Sequence, residues 1–383
     1  MPFGYLISTA AAAVATALAL FPRSTGGPRA TPAFVLETTV NELPFLVFYW
    51  LVCSTALAVA QGELDSPVGW TGLAIAIVTT AGLVVVVRRA LAARRTLDRA
   101  LATGLEANRR GVLDPRVAKR RRSRIPLGRI LLAPLRRPSR EVRCRQNIAY
   151  GPAGRDNLLD LYRNRAHTVA APVFVYFHPG GFFSGRKGRE ARPIFDHLVR
   201  RGWVCVSANY RLEPRASFPD PLVDAKLVIA WLRDHAHEHG ADPSTLVVAG
   251  GSAGAHLAVM CALTANDPAF QPGFEGADTS VSAAIGLYGY YGAAPAREPV
   301  PSAPADYLRA DAPPFLVVHG SRDPMVPASG VRAFVETLRD SSFRPVVYAE
   351  LPGAQHNFDR FPSIRCAAVA DGIEAFTAWV RSV

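Results

Sequence analysis

Lysine is almost missing from these 383 residues: it occurs only as Lys119, Lys187 and Lys226, and arginine supplies the rest of the basic charge. Cysteine is sparse too. Cys53, Cys144, Cys205, Cys261 and Cys366 are scattered, odd in number and free of any C-x-x-C spacing. That pattern indicates neither a disulfide framework nor a thiolate zinc site, and free thiols suit a reducing compartment. Cys205 and Cys261 fall in apolar patterns and read as core filler. Neither a metal nor a cofactor is expected. Charge is absent from three long stretches, residues 3–21, 43–60 and 68–87. Crossing a hydrocarbon core of ~30 Å takes roughly 20 apolar residues. Three such runs point to an all-α transmembrane region over residues 1–87. No Lys or Arg precedes the first run, so it lacks the positive start of a cleavable signal peptide.

The net charge of +12 is unevenly spread. Residues 88–145 carry 19 Lys and Arg against 4 Asp and Glu, which leaves the remainder slightly acidic. A basic chain invites a nucleic-acid reading, but this segment lacks the interleaved aromatics on which bases stack, so no nucleic-acid partner is expected. It follows directly on the third apolar run through Arg88-Arg89. Residues 88–145 are therefore read as a basic juxtamembrane linker that meets anionic lipid. Arg88, Arg89, Arg94, Arg95 and Arg99 lie within the stretch over which the positive-inside bias is counted, whereas residues 61–65 hold two acids and no base. That asymmetry places the chain in the cell membrane as a multi-pass protein, with everything after residue 88 in the cytoplasm.

From residue 146 the pattern changes to short apolar runs alternating with helical stretches, the signature of a mostly parallel, doubly wound α/β sheet over 146–383. Strands are expected at 158–162, 173–177, 204–208, 246–249, 283–287, 315–318 and 346–350. Helices are clearest at 221–237 and 329–339, and one from about 367 to 380 closes the domain. The most specific signal is Gly250-Gly251-Ser252-Ala253-Gly254 after the run Val247-Val248-Ala249. A nucleophilic serine needs a tight strand-to-helix turn, and small residues two before and two after it let strand and helix approach. Upstream, His178-Pro179-Gly180-Gly181 ends another strand. Glycines there present backbone N–H groups, so Gly180, Gly181 and Ala253 are expected to form an oxyanion hole, with His178 bracing the loop. An acid and a histidine should follow the serine in that order. Asp323 ends one later strand and His356 the next, which makes Ser252, Asp323 and His356 the expected triad. His256, one helical turn beyond the serine, reads as structural. Asp359 rivals Asp323 but sits on the histidine's own loop. Phe182, Phe183, Tyr290, Tyr291 and Phe358 flank these loops as candidate substrate contacts or core. Arg211 and Asp224 read as a structural pair.

With these motifs in place, the chain from about residue 146 onward resembles the hormone-sensitive-lipase-like branch of the α/β-hydrolases. The resemblance includes Asn209-Tyr210-Arg211-Leu212 with Pro214, and Phe218-Pro219 ahead of Asp224. Residues 263–275 are similar to membrane-associated actinobacterial carboxylesterases. Three departures from the pattern stand out. Pro179 stands for the first of three glycines, Gly251 for an acid before the serine, and Glu213 and Arg215 for Ala and Glu. The resemblance implies an α/β-hydrolase fold and a serine carboxylesterase or lipase acting on a small-molecule or lipid ester. Ser252 to His256 and Leu257 are also similar to the elbow of arylformamidases, so an amidase or arylformamidase with the same triad is the alternative. A non-catalytic, membrane-bound hydrolase-fold binding protein is a third reading, although binding alone would not need an intact triad.

Overall fold

The computed structural model describes residues 3–22, 32–106, 127–132, 139–166, 170–297 and 300–383. Its centre is an eight-stranded sheet, β1 (Val142–Ala149), β2 (Leu158–Asn164), β3 (Ala171–Phe177), β4 (Val204–Ala208), β5 (Ala241–Gly251), β6 (Ala283–Leu287), β7 (Phe315–Gly320) and β8 (Val346–Leu351). The order across the sheet is β1-β2-β4-β3-β5-β6-β7-β8. β1 and β2 pair antiparallel, as do β2 and β4, and all later pairs are parallel. Strands covered on both faces need continuous apolar runs, and every residue of β3, Ala-Pro-Val-Phe-Val-Tyr-Phe, is buried. β1 is the one strand without a counterpart in the sequence reading. It lies at the sheet edge with both faces largely exposed, and its short alternation Val142-Arg143-Cys144-Arg145 is broken at Gln146-Asn147, where the pairing with β2 shifts register. The sheet consequently begins before residue 146, inside the basic segment.

Helices α7 (Asp220–His235), α8 (Ala253–Leu263) and α9 (Ala328–Ser341) cover one face of the sheet. The other face is covered by α6 (Arg192–Arg200), α10 (Ile364–Val380) and the distal half of α4 (Pro67–Glu106). A short α5 (Leu127–Leu132) lies between α4 and β1. α4 is 40 residues long, about 60 Å at ~1.5 Å per residue, and it passes residue 87 without a break. Ala93, Leu97, Leu101 and Leu105 recur every four residues, so they share one face, and all four are buried in the core on this side of the sheet. Leu97 packs on Gly372 of α10, and Gly104 lies against Val347 of β8. Arg94 reaches Asp371 at 3.3 Å. The first part of the basic segment is thus a wall of the sheet domain as well as a continuation of the third apolar run.

α1 (Phe3–Leu20) and α4 are each long and apolar enough to cross a membrane. α3 (Pro44–Ala60) meets α2 (Pro32–Glu42) at 89°, and the bent pair passes the same test when taken together. Gly72 of α4 sits against Tyr5, and Gly82 against Thr16 and Leu20, so α1 and α4 run parallel. Glycine at these positions admits the close approach that helix pairing in lipid exploits. α3 runs the opposite way. Tyr5 Oη pairs with Thr55 Oγ1 at 2.9 Å, Ser8 with Ser54 at 3.0 Å, and Trp50 Nε1 donates to Ser8 Oγ at 2.9 Å. Ile7, Trp50, Trp70, Ile77 and Val78 point outward and are exposed. If the distal half of α4 is core, Leu101→Ala should lower the unfolding free energy of the detergent-solubilised protein by about 2–5 kcal/mol. Denaturant unfolding followed by near-UV circular dichroism measures this, and a change below about 0.5 kcal/mol would show that α4 merely rests on the surface.

Candidate active site

The parallel strands β5, β7 and β8 bring their carboxyl ends to one edge of the sheet, and the loops that follow them carry Ser252, Asp323 and His356. Ser252 separates β5 from α8 with φ 53° and ψ −118°, a left-handed conformation that costs on the order of 1–3 kcal/mol. The flanking glycines are required sterically. A Cβ at Gly250 would lie 2.1 Å from the Gly254 carbonyl oxygen, and one at Gly254 would lie 2.1 Å from that of Phe177. Ser252 N–H donates to Leu287 O at 3.0 Å, which pins the turn to β6.

His356 Nδ1 and Asp323 Oδ2 are 2.7 Å apart. The second carboxylate oxygen, Oδ1, accepts from the amides of Met325 and Val326 at 2.9 Å each. Burial alone would raise the Asp323 carboxyl. The His356 charge, its hydrogen bond, His319 and the Val326 amide outweigh burial and hold it below the usual carboxylate range. Ser252, Asp323 and His356 are each less than a tenth exposed. His319 Nε2 lies 3.6 Å from Asp323 Oδ2 and 2.9 Å from Val326 O. Burial lowers its pKa.

Asp359, the rival acid, is engaged elsewhere. It is fully buried and accepts from Tyr176 Oη at 2.6 Å and Tyr288 Oη at 2.5 Å. The same two hydroxyls explain Gly251. A Cβ there would lie 2.3 Å from Tyr288 Oη and 2.7 Å from Tyr176 Oη, so an acidic side chain before the serine has no room. The Tyr288 ring packs against His356 with centroids 4.7 Å apart, which joins the serine turn and the histidine loop along one wall. Burial raises the Asp359 carboxyl, and burial together with Asp359 pushes Glu190 up to about 7.

The glycine loop before the site is tightly folded. Gly180 and Gly181 have φ of 142° and 63°, and Phe182 follows at 68°. A Cβ on Gly180 would lie 1.8 Å from Ser184 O. His178 braces this loop as expected: its ring stacks on Tyr210 at 4.3 Å, and Tyr210 Oη donates to His178 O at 2.7 Å. Burial drops the His178 pKa to about 4. Ala253 opens α8, at the helix end where backbone N–H groups point outward. His256 is buried with Nε2 2.8 Å from Ser302 O and its pKa likewise pushed to about 4, a structural residue. Phe182 packs edge-on to His256, Phe183 and Tyr290 are exposed, and Tyr291 is buried. Phe358 is fully buried on the Tyr288 ring at 5.0 Å, within the core. Arg211 and Asp224 form the structural pair foreseen, with Nε to Oδ2 at 2.9 Å.

Sequence reasoning missed the contribution of the N-terminal helices. Phe34 of α2 lies over His356, ring centroids 6.4 Å apart. Gln355 Nε2 donates to Ala19 O at 3.1 Å, Asn41 Nδ2 donates to Gly353 O at 3.2 Å, and Arg322 donates to Leu20 O. These partners are separated by some 300 positions, and no local pattern announces them. Away from the site, the ligand atoms of His197, Asp371 and Glu374 lie within 4.8 Å of one another. Arg94 pairs with Asp371 and Arg201 with Glu374, so the group reads as an ion-pair network joining α4, α6 and α10.

The buried carboxyl pair sets a pH dependence. With its folded pKa raised to about 7 from 4.5, Glu190 contributes stability that is complete below the unfolded value and is lost as pH rises through the folded one. Glu190→Gln removes that loss. The variant should therefore gain on wild type from about pH 5 to 8, by roughly 3 kcal/mol at ~1.4 kcal/mol per pK unit. Thermal unfolding across this range is the measurement, and parallel wild-type and variant curves would refute the assignment.

Three comparisons with known proteins bear on this geometry. A family profile described as BD-FAE matches residues 159–298. The probable carboxylic ester hydrolase LipM of Mycobacterium tuberculosis is 36% identical over 409 aligned residues, spanning 98% of this chain and 93% of that protein. Esterase LipQ of the same organism is 41% identical over 60% of this chain and 61% of its own length. Among solved structures, a truncated carbohydrate esterase from gut microbiota superposes with a TM-score of 0.54 at 18% identity, over 63% of this chain and 99% of the other, and so speaks to the fold. Thermogutta terrifontis esterase 2 phosphorylated by paraoxon gives 0.50 at 28% identity, over 57% and 85%.

Proposed function

The chain belongs to the hormone-sensitive-lipase-like carboxylesterases of the α/β-hydrolase family, and we propose that it hydrolyses its ester from a membrane, through an acyl intermediate on Ser252. The observation that carries this reading is the 2.7 Å pair of His356 Nδ1 and Asp323 Oδ2, on the same sheet edge as the strained serine turn. With Nδ1–H held by Asp323, Nε2 is left as the basic nitrogen. It takes the Ser252 proton as Oγ attacks the ester carbonyl. The N–H groups of Gly180, Gly181 and Ala253 receive the developing oxyanion, each worth about 3–4 kcal/mol in such holes. His356 then gives its proton to the departing alcohol, and water repeats the sequence on the acyl-serine. Phe183 and Tyr290, exposed beside the glycine loop and the serine turn, are the aromatic side chains placed to meet the acyl or alcohol portion. Phe358 is fully buried against the Tyr288 ring, which supports a packing role for it.

Residues 1–87 supply the membrane region and residues 146–383 most of the catalytic domain, with the segment 88–145 joining them. α1 and α4 run parallel with α3 between them in the opposite sense, so three crossings put the hydrolase on the side where Arg88 and Arg89 emerge. The positive-inside bias makes that side the cytoplasm.

Ser252→Ala should abolish p-nitrophenyl butyrate hydrolysis, a loss on the order of 10⁶-fold in turnover, while the protein still folds. Asp323→Asn should cost roughly 10⁴-fold by fixing the wrong tautomer. If Asp359→Asn proves the more damaging of the two acid substitutions, the triad is misassigned. For topology, a fluorescent protein fused after Val383 should fold and alkaline phosphatase fused there should stay inactive. Strong phosphatase activity would put the domain outside.

A further inference from the structure

α4 measures where the triad lies relative to the apolar region. Going up the helix, Gly104 lies on Val347 near the start of β8, Leu97 on Gly372, and the stem of Arg89 on Gly353 just beyond the end of β8. The helix therefore runs antiparallel to β8, and its charge-free part, residues 68–87, projects past the carboxyl edge of the sheet. That edge carries Ser252, Asp323 and His356, and Gly353 is three positions from the histidine. Arg88 and Arg89 mark the end of the apolar run, so the triad lies level with the boundary between that run and its basic flank.

The N-terminal helices also close over this edge. The last carbonyls of α1, on Ala19 and Leu20, accept from Gln355 and Arg322, the immediate neighbours of His356 and Asp323. Asn41 bridges Ala19 O at 3.1 Å and Gly353 O at 3.2 Å. α2 is latched to α10 by Glu42, which pairs with buried Arg365 and accepts from Ser363 Oγ at 2.5 Å. Over His356 itself lies Phe34, only 2% exposed. A site built for water-borne esters would turn this edge to solvent. Here it is turned toward apolar helices with outward-facing Phe3, Ile7, Ile77 and Val78.

We propose that the substrate reaches Ser252 from within the bilayer, beneath α2, and is a long-chain amphiphilic ester. Its hydrocarbon chain stays among the lipid tails while its carbonyl rises to the level of Arg88 and Arg89. Phe34 is the specificity-determining residue at the roof of this entry. The proposal rests on the serine-esterase reading of the site and adds the source and class of the ester. Each buried CH₂ of the chain adds to the cost of leaving the bilayer, so a long chain leaves slowly, and lateral delivery and delivery through water differ in rate.

The experiment uses the full-length protein reconstituted in phosphatidylcholine vesicles. 4-Methylumbelliferyl palmitate is placed either in the same vesicles or in separate, enzyme-free vesicles at equal total amount, with the soluble butyrate ester as a control in both. Palmitate in the enzyme's own bilayer should turn over about tenfold faster or more, while the butyrate rate is the same in the two arrangements. Phe34→Leu should change the ratio of palmitate to butyrate kcat/KM by about tenfold. Equal palmitate rates from both vesicle populations, or preference for butyrate with palmitate untouched, would overturn lateral entry and leave the esterase reading standing. An unchanged chain-length ratio in Phe34→Leu would remove Phe34 from the entry. Failure to cleave butyrate, together with no fluorophosphonate labelling of Ser252, would overturn the esterase reading and this proposal with it.

Discussion

Every amide inside an α-helix is paired within the helix, so a helix of α4's length behaves as a stiff rod unless a proline, bulge or inserted side chain breaks it. Nothing in residues 68–106 supplies such a break, and the apolar half and the core-forming half share one axis. The position of the hydrolase domain follows from that. Because Leu97, Leu101 and Leu105 must lie against α10 and β8 to be buried, residues 68–87 can only leave the domain at the carboxyl edge of the sheet. α1 and α3 then pack on this portion of α4, and α2 is left across the catalytic loops. The orientation of the active site is set by apolar packing far from any catalytic group.

The parts of the protein that were legible in its sequence are those whose physics is local. The elbow around Ser252 needs a strand, a tight turn and small flanking residues within eight positions, and all of these are adjacent in the chain. The carboxyl-edge placement of Asp323 and His356 follows from two apolar runs and the parallel rule for such sheets. What could not be read depends on partners distant in sequence. β1 gains its place by pairing with β2, not from its own pattern. The distal turns of α4 look like a solvated basic helix until their leucines meet Gly372 and the neighbouring core. Phe34 and Asn41 lie in a segment without motif, and their partners on the His356 loop come more than 300 residues later.

Gly251 shows how a departure from a family pattern is absorbed. The volume an acidic side chain would fill is occupied by the hydroxyls of Tyr176 and Tyr288, and a carboxyl is supplied from another loop by Asp359. A buried carboxyl requires such donors to offset its desolvation. The arrangement also sets Tyr288 edge-on to His356, so the substitution at one position has shaped the wall behind the base.

The hydrogen bonds from Gln355 and Arg322 to the last turn of α1 carry a mechanical consequence. Helices adapt to a bilayer thinner or thicker than their apolar length by tilting. In the membrane-anchored reading proposed above, both ends of this contact are constrained: α1 by the hydrocarbon around it, and the loops carrying Asp323 and His356 by the sheet. A tilt of α1 therefore pulls directly on the residues next to Asp323 and His356. On that reading, lipid composition would bear on how Asp323 and His356 are aligned, with membrane thickness felt through the two backbone carbonyls of Ala19 and Leu20.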